Sequence, residues 1–149
     1  MFALSLDTGQ FYQHQGTVIV EWANVYGSPA LKIERVSLWG GLSIGATMDF
    51  ATALYVTNPN TAFWRIGGGA PHVPGWMPLE WMAIDRYGAS NGQNYQKEKD
   101  WSQYNITVEP GEKLILHANC VQHNPGTNPV MGTPASGDNA HAQAYIWMS

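Results

Sequence analysis

The chain has 149 residues, of which 44% are hydrophobic and only 12% charged, and its net charge is −4. That length suits one domain able to bury a core without a disulfide or metal staple. The low charge excludes a coiled coil and a salt-bridged helical surface, while the apolar content excludes a disordered chain. Seven basic residues against eleven acidic ones also exclude a nucleic-acid binder, which needs clustered Lys and Arg. The single cysteine, Cys120, cannot close an internal bridge. The opening Met1-Phe2-Ala3-Leu4-Ser5-Leu6-Asp7 lacks the basic and apolar regions of a signal peptide, and no run reaches the length of a membrane span. A soluble single domain, residues 1–149, made and kept inside a cell until used, is the expectation.

Period-two alternation dominates the chain. In Thr17-Val18-Ile19-Val20-Glu21-Trp22-Ala23-Asn24-Val25-Tyr26, Val18, Val20, Trp22 and Tyr26 share one face of a strand, which Gly27-Ser28-Pro29 then breaks. The next strand begins with Leu31 and Ile33 on one face, but Val36 and Leu38 fall on the opposite parity. One extra residue near Glu34-Arg35 restores a single buried face, so a β-bulge is predicted there, with Gly40-Gly41 ending the strand.

Met48, Phe50, Thr52, Leu54 and Val56 form the next alternating set, and Asn58-Pro59-Asn60 turns. Ala62-Phe63-Trp64-Arg65-Ile66 reads as a short strand before a Gly/Pro-rich loop. Residues 80–87 return as a strand, and the polar stretch 88–100 reads as a mobile loop. Residues 104–108 are extended, Glu109-Pro110-Gly111-Glu112 makes a tight turn, and residues 113–121 bury Leu114, Leu116, Ala118 and Cys120. After a loop over 122–139, residues 140–147 alternate small with large, as a strand paired on both sides. Strands with turn signals and no amphipathic helix predict an all-β antiparallel sandwich or barrel.

Chemistry is sparse. Gly41-Leu42-Ser43-Ile44-Gly45 matches a nucleophile elbow, with Asp85 and His117 or His141 in suitable chain order. The residues after Ser43 read as strand where that motif needs a helix, so no catalytic residue is assigned. His14, His72, His117, His123 and His141 lack close metal-ligand spacings. A pairing of His117 with His141 across adjacent strands is the one two-ligand arrangement available, and no metal or cofactor is expected. Glu80 with Asp85, and Glu109 with Glu112, read as solvated charges at strand ends.

The aromatic content is the stronger signal, with seven Trp and seven Tyr. Trp22, Trp39 and Trp147 suit a core or a sheet face. Trp76, in the Pro/Gly-rich loop, and Trp101, beside the polar stretch, are candidates for contact with another subunit or a ligand, and Trp64 and Tyr95 complete that set.

The unit running from Val20 through Gly27-Ser28-Pro29 to Val36 resembles the strand–turn–strand of small jelly-roll structural proteins of bacteriophage virions. The unit Ile106-Thr107-Val108-Glu109-Pro110-Gly111-Glu112-Lys113-Leu114 and the closing Tyr145-Ile146-Trp147 are similar to theirs as well. Together these cover about a third of the chain. The resemblance implies a single jelly roll of about eight strands with no catalytic residues. It also implies assembly as a trimer or pentamer with itself and with other virion proteins, in a virion made in the host cytoplasm. A carbohydrate-binding module or lectin, stacking sugars on Trp76, Trp101 and a loop Tyr, is the competing expectation.

Overall fold

A computed structural model describes residues 1–11, 17–42, 48–57, 79–85, 93–122 and 140–149. Among the described residues nine strands follow in chain order: β1 (Phe2–Phe11), β2 (Thr17–Ala23), β3 (Leu31–Leu42), β4 (Met48–Thr57), β5 (Glu80–Asp85), β6 (Gln93–Asp100), β7 (Thr107–Val108), β8 (Lys113–Gln122) and β9 (Ala140–Met148). One sheet runs β1-β9-β3-β6, with β7 added against the start of β3, and the other runs β2-β8-β4-β5. All pairings are antiparallel. With the two-residue β7 set aside, the chain changes sheets at every step except β4 to β5. That is the strand order of an eight-stranded jelly roll.

Alternation explains the packing. On β9, Ala140, Ala142, Ala144, Ile146 and Met148 face inward, joined by Leu6 of β1 and by Ile33, Val36 and Leu38 of β3. Phe50 and Leu54 of β4, Met82 of β5, and Leu114, Leu116 and Ala118 of β8 meet them from the other sheet. The predicted bulge is present: the register of β3 against β9 shifts between Ile33 and Arg35, which lets Ile33 and Val36 both point inward.

Small residues on one sheet receive large ones from the other. Gly40 sits opposite Ala142, and a Cβ built on Gly40 would lie 2.7 Å from both the Met82 sulfur and Phe50 Cε1. Gly40→Ala should therefore cost roughly 1–3 kcal/mol by overpacking, read as a lower urea midpoint at unchanged slope. An unchanged midpoint would show that the two side chains move aside freely.

The opposite face of β4 and β8 is closed to solvent as well. Ala51, Ala53, Tyr55, Ile115 and His117 are all buried there. Burial pushes the Tyr55 phenol up to about 12 and the His117 imidazole down to about 4.

Several expectations need correction. Residues 93–100 form β6 instead of a loop, paired with β3 from Leu42 to Arg35. Asn94 through Asp100 are all exposed on this edge strand, so no buried face imposes an apolar alternation. β3 runs through Gly40-Gly41 to Leu42, because a glycine is what the Phe50–Met82 contact demands. β2 stops at Ala23, which leaves Tyr26 outside the strand and exposed, and only Thr107–Val108 of the stretch 104–108 is strand. His117 and His141 lie on strands of different sheets, so they do not form a two-ligand pair. Residues 58–78, 86–92 and 123–139, with the turns and short strand expected in them, lie outside the described residues.

Candidate functional site

β9 lies between β1 and β3, so its outward residues line up with outward residues of three neighbours. The pairings give rows across the face: Asp7, Gln143, Trp39, Gln96; then Ser5, Tyr145, Ser37, Glu98; then Ala3, Trp147, Arg35, Asp100. Above the first of these, His141 stands opposite Gly41. This face interleaves three large aromatics with hydroxyls and amides, and its charges, Asp7, Glu98, Arg35 and Asp100, stand on the flanking strands.

Ser37, Trp39, Gln96, His141, Gln143 and Tyr145 line an open cleft of about 260 Å³. Its geometry is fixed from below. A Cβ on Gly41 would come within 3.1 Å of the Trp39 indole, so the glycine lets that ring lean over the strand. The His141 ring meets Trp39 edge-on, with centroids 5.0 Å apart at 84°. His141 Nε2 lies 2.5 Å from Asp7 Oδ1, which also accepts the Gly9 N–H at 2.7 Å. Partial burial alone would raise the Asp7 pKa. The hydrogen bonds from Gly9 and His141, with the imidazole charge, outweigh it and hold the carboxyl below its ordinary value. The amides are anchored at one end: Gln96 donates to Ser37 Oγ at 2.9 Å, and Gln143 to Ser5 Oγ at 3.4 Å.

A second cleft of about 400 Å³ opens lower on this sheet, between Met1, Glu34, Arg35, Asp100, Ser102 and Trp147. Its charges are mutually engaged. The Arg35 guanidinium stacks 4.0 Å over Trp147. Hydrogen bonds from Ser102, with Arg35 and Lys32 nearby, keep Asp100 below the usual carboxylate range. Ser149 Oγ donates to Glu34 at 2.6 Å.

The end of the sandwich where β9 finishes is different in character. Met1, Phe2, Val25, Tyr26 and Tyr104, all exposed, belong to segments that meet there. Asn24 organises this end. Its backbone N–H donates to Glu112 and its carbonyl accepts the Gly111 N–H, while its buried side-chain amide donates to Val108 O at 2.9 Å and Pro29 O at 3.0 Å. Gly111 has φ +90°, and a Cβ there would lie 2.5 Å from the Tyr26 ring. Tyr26, although 78% exposed, is thus held against the Pro-Gly turn.

The four residues singled out from sequence are not brought together among the described residues. Trp101 packs against the core, with Tyr104 edge-on at 5.4 Å and Lys99 Nζ 4.1 Å over its ring. Tyr95 is exposed on β6 opposite Gly40. Trp64 and Trp76 lie outside the described residues, as do Ser43, His14, His72 and His123. Among the described residues, no group of three or more His, Cys, Asp or Glu could hold a metal ion, and no helix is long and apolar enough to cross a membrane. Glu109 and Glu112 take local structural roles: Glu109 accepts from Thr107 Oγ1, and Glu112 accepts the Glu109 N–H.

No protein-family model and no curated protein matches the chain. Among solved structures, it is similar to an aminopeptidase from the marine sediment archaeon Thaumarchaeota archaeon, at 12% identity and TM-score 0.46, over 90% of this chain and 26% of that one. An α-amino acid ester hydrolase aligns at 12% identity and TM-score 0.44, over 89% of this chain and 23% of that one. The VP2 subviral particle of infectious bursal disease virus aligns at 13% identity and TM-score 0.39, over 97% of this chain and 32% of that one. The chain thus spans about a quarter to a third of the structures it matches.

Proposed function

We propose that this chain is a non-enzymatic structural component of a bacteriophage virion, in the shell, as decoration or in a fibre. It acts by assembling with itself and with other virion proteins. The observation that carries this reading is the end of the sandwich that exposes Val25 and Tyr26 in the turn after β2, an end at which Met1, Phe2 and Tyr104 are exposed on other segments. Exposed apolar side chains gathered in one region mark protein contact surfaces. Tyr26 is also pre-positioned: its ring already rests on Gly111, so docking costs little side-chain entropy. The two-sheet block behind it gives each copy a rigid body, and repeating one such contact under symmetry closes a ring or tiles a surface. Tyr95 at the sheet edge and the partly buried Trp101, with Trp64 and Trp76, belong to the same reading as further contacts.

The test is sedimentation of the wild type beside a Val25→Ser, Tyr26→Ser double variant and a Trp39→Ala control. Both altered end residues are solvent-exposed, so the monomer should stay folded. Self-association should weaken at least about tenfold in the double variant and stay unchanged in the control. Wild-type association by the double variant would remove the apolar end as the contact.

A further inference from the structure

We propose that the cleft around Trp39 is a binding site for a neutral saccharide, with a pyranose ring seated against the indole and its hydroxyls held by Gln96 and Gln143. This goes beyond the assembly reading and does not rest on it, since it uses the sheet face and leaves the apolar end free.

A pyranose presents two chemistries at once: a flat patch of C–H bonds and a rim of hydroxyls that both donate and accept. The cleft offers a counterpart to each. Trp39 and Tyr145 supply aromatic surface whose electron-rich faces attract C–H edges. Gln96 and Gln143 supply groups that donate and accept alike, and the buried Ser37 hydroxyl holds Gln96 in place. A side-chain amide has two N–H donors and a carbonyl, and the described bonds use one N–H of each glutamine, leaving capacity for hydroxyls.

Charge narrows the ligand further. None of the six lining residues is Lys, Arg, Asp or Glu, and the adjacent Asp7 is already committed to His141 and Gly9. A phosphate or an acidic peptide would find no free counter-charge here. At about 260 Å³ the cleft is also smaller than the roughly 300–1,000 Å³ of sites for drug-sized molecules, which suits a single sugar ring.

Two further features fit an oligosaccharide. The cleft is open, and Tyr145, exposed on β9, extends the aromatic surface beyond Trp39 as far as Trp147, whose ring Arg35 covers. The walls are also set in advance, since Gly41 makes room for the indole, His141 braces it, and Asp7 holds His141. Such pre-organisation lowers the entropy lost on binding.

The experiment is calorimetric and tryptophan-fluorescence titration of the wild-type chain with cellohexaose, maltohexaose, mannohexaose and N-acetylchitohexaose, and with hexagalacturonate as the charged comparison. At least one neutral hexaose should saturate in the millimolar range or below and change the emission, and hexagalacturonate should bind no better. Trp39→Ala should weaken that binding more than about tenfold, and Gln143→Ala by several-fold. Trp39→Phe, which keeps a flat ring, should retain part of it and so separates lost stacking from a collapsed face. Circular dichroism on each variant confirms the fold. Absence of binding by every neutral hexaose, or Trp39→Ala binding equal to wild type, would overturn the proposal. A wild type that binds sugar yet never associates would overturn the assembly reading alone.

Discussion

As pH falls from 6.5 to about 4, the protein should lose about 3 kcal/mol of stability, through one imidazole. His117 sits on β8 on the side facing away from the inter-sheet core, and none of it is exposed. Burial disfavours its charged form and lowers its pKa from 6.5 to about 4. Between those values the unfolded chain takes up a proton that the folded chain refuses. The unfolded state therefore gains as pH drops, and stability falls through the window and levels off below it. Asp7 acts in a separate range. Its folded pKa is depressed, so its contribution is complete above the unfolded carboxylate value and is lost only as pH falls through the lower folded one. Urea midpoints measured across this range should decline for the wild type and stay nearly flat for His117→Gln. The bond from Thr52 Oγ1 to the main-chain O of His117, at 3.0 Å, does not depend on the imidazole and survives that substitution. Equal slopes for the two proteins would show that His117 charges freely in the folded state.

Asn24→Ala should be the most damaging single change outside the core, at roughly 2–4 kcal/mol. The buried amide donates to two carbonyls, Val108 O and Pro29 O, and alanine leaves both without that donor. For a chain of this length that corresponds to a melting temperature lower by roughly 10 °C. Asn24→Asp keeps the shape but sets a carboxylate against the same two carbonyl oxygens, so it should be at least as harmful. The effect also reaches function under the assembly reading, because the side-chain amide closes the turn that carries Tyr26 onto Pro29 and docks it on Val108. A melting temperature unchanged in both variants would show that the two turns hold each other without the side chain.

What can be read in the sequence follows from which residues carry a one-sided burial pattern. β8 and β9 are legible because Leu114, Leu116 and Ala118, and Ala142, Ala144 and Ile146, alternate with outward residues. The bulge at Glu34-Arg35 is legible because an inserted residue brings apolar side chains of opposite parity onto one face. β6 is not, since both its faces meet solvent. β1 escapes notice although Leu4 and Leu6 alternate with Ser5 and Asp7, because the opening segment invites a reading as leader or no leader instead of as strand.

The candidate cleft is harder to see. Trp39 reads as a core or sheet-face residue, but its gathering with Gln96, Gln143 and His141 depends on register between distant strands. Asp7 and His141 are 134 residues apart in sequence. No local spacing encodes that meeting. The packing of Trp101 is hidden for a related reason: the turn from Trp101 to Tyr104 sets the partly buried indole against the core, which residue type alone does not announce.

The measurement that bears most directly on the proposed function is the mass of the wild-type chain in solution, by light scattering behind a sizing column over a concentration series. The expected result is a discrete multiple of the 16.4 kDa chain, a trimer, a pentamer or a larger closed ring. A mass of 16.4 kDa at every concentration would contradict assembly through the apolar end.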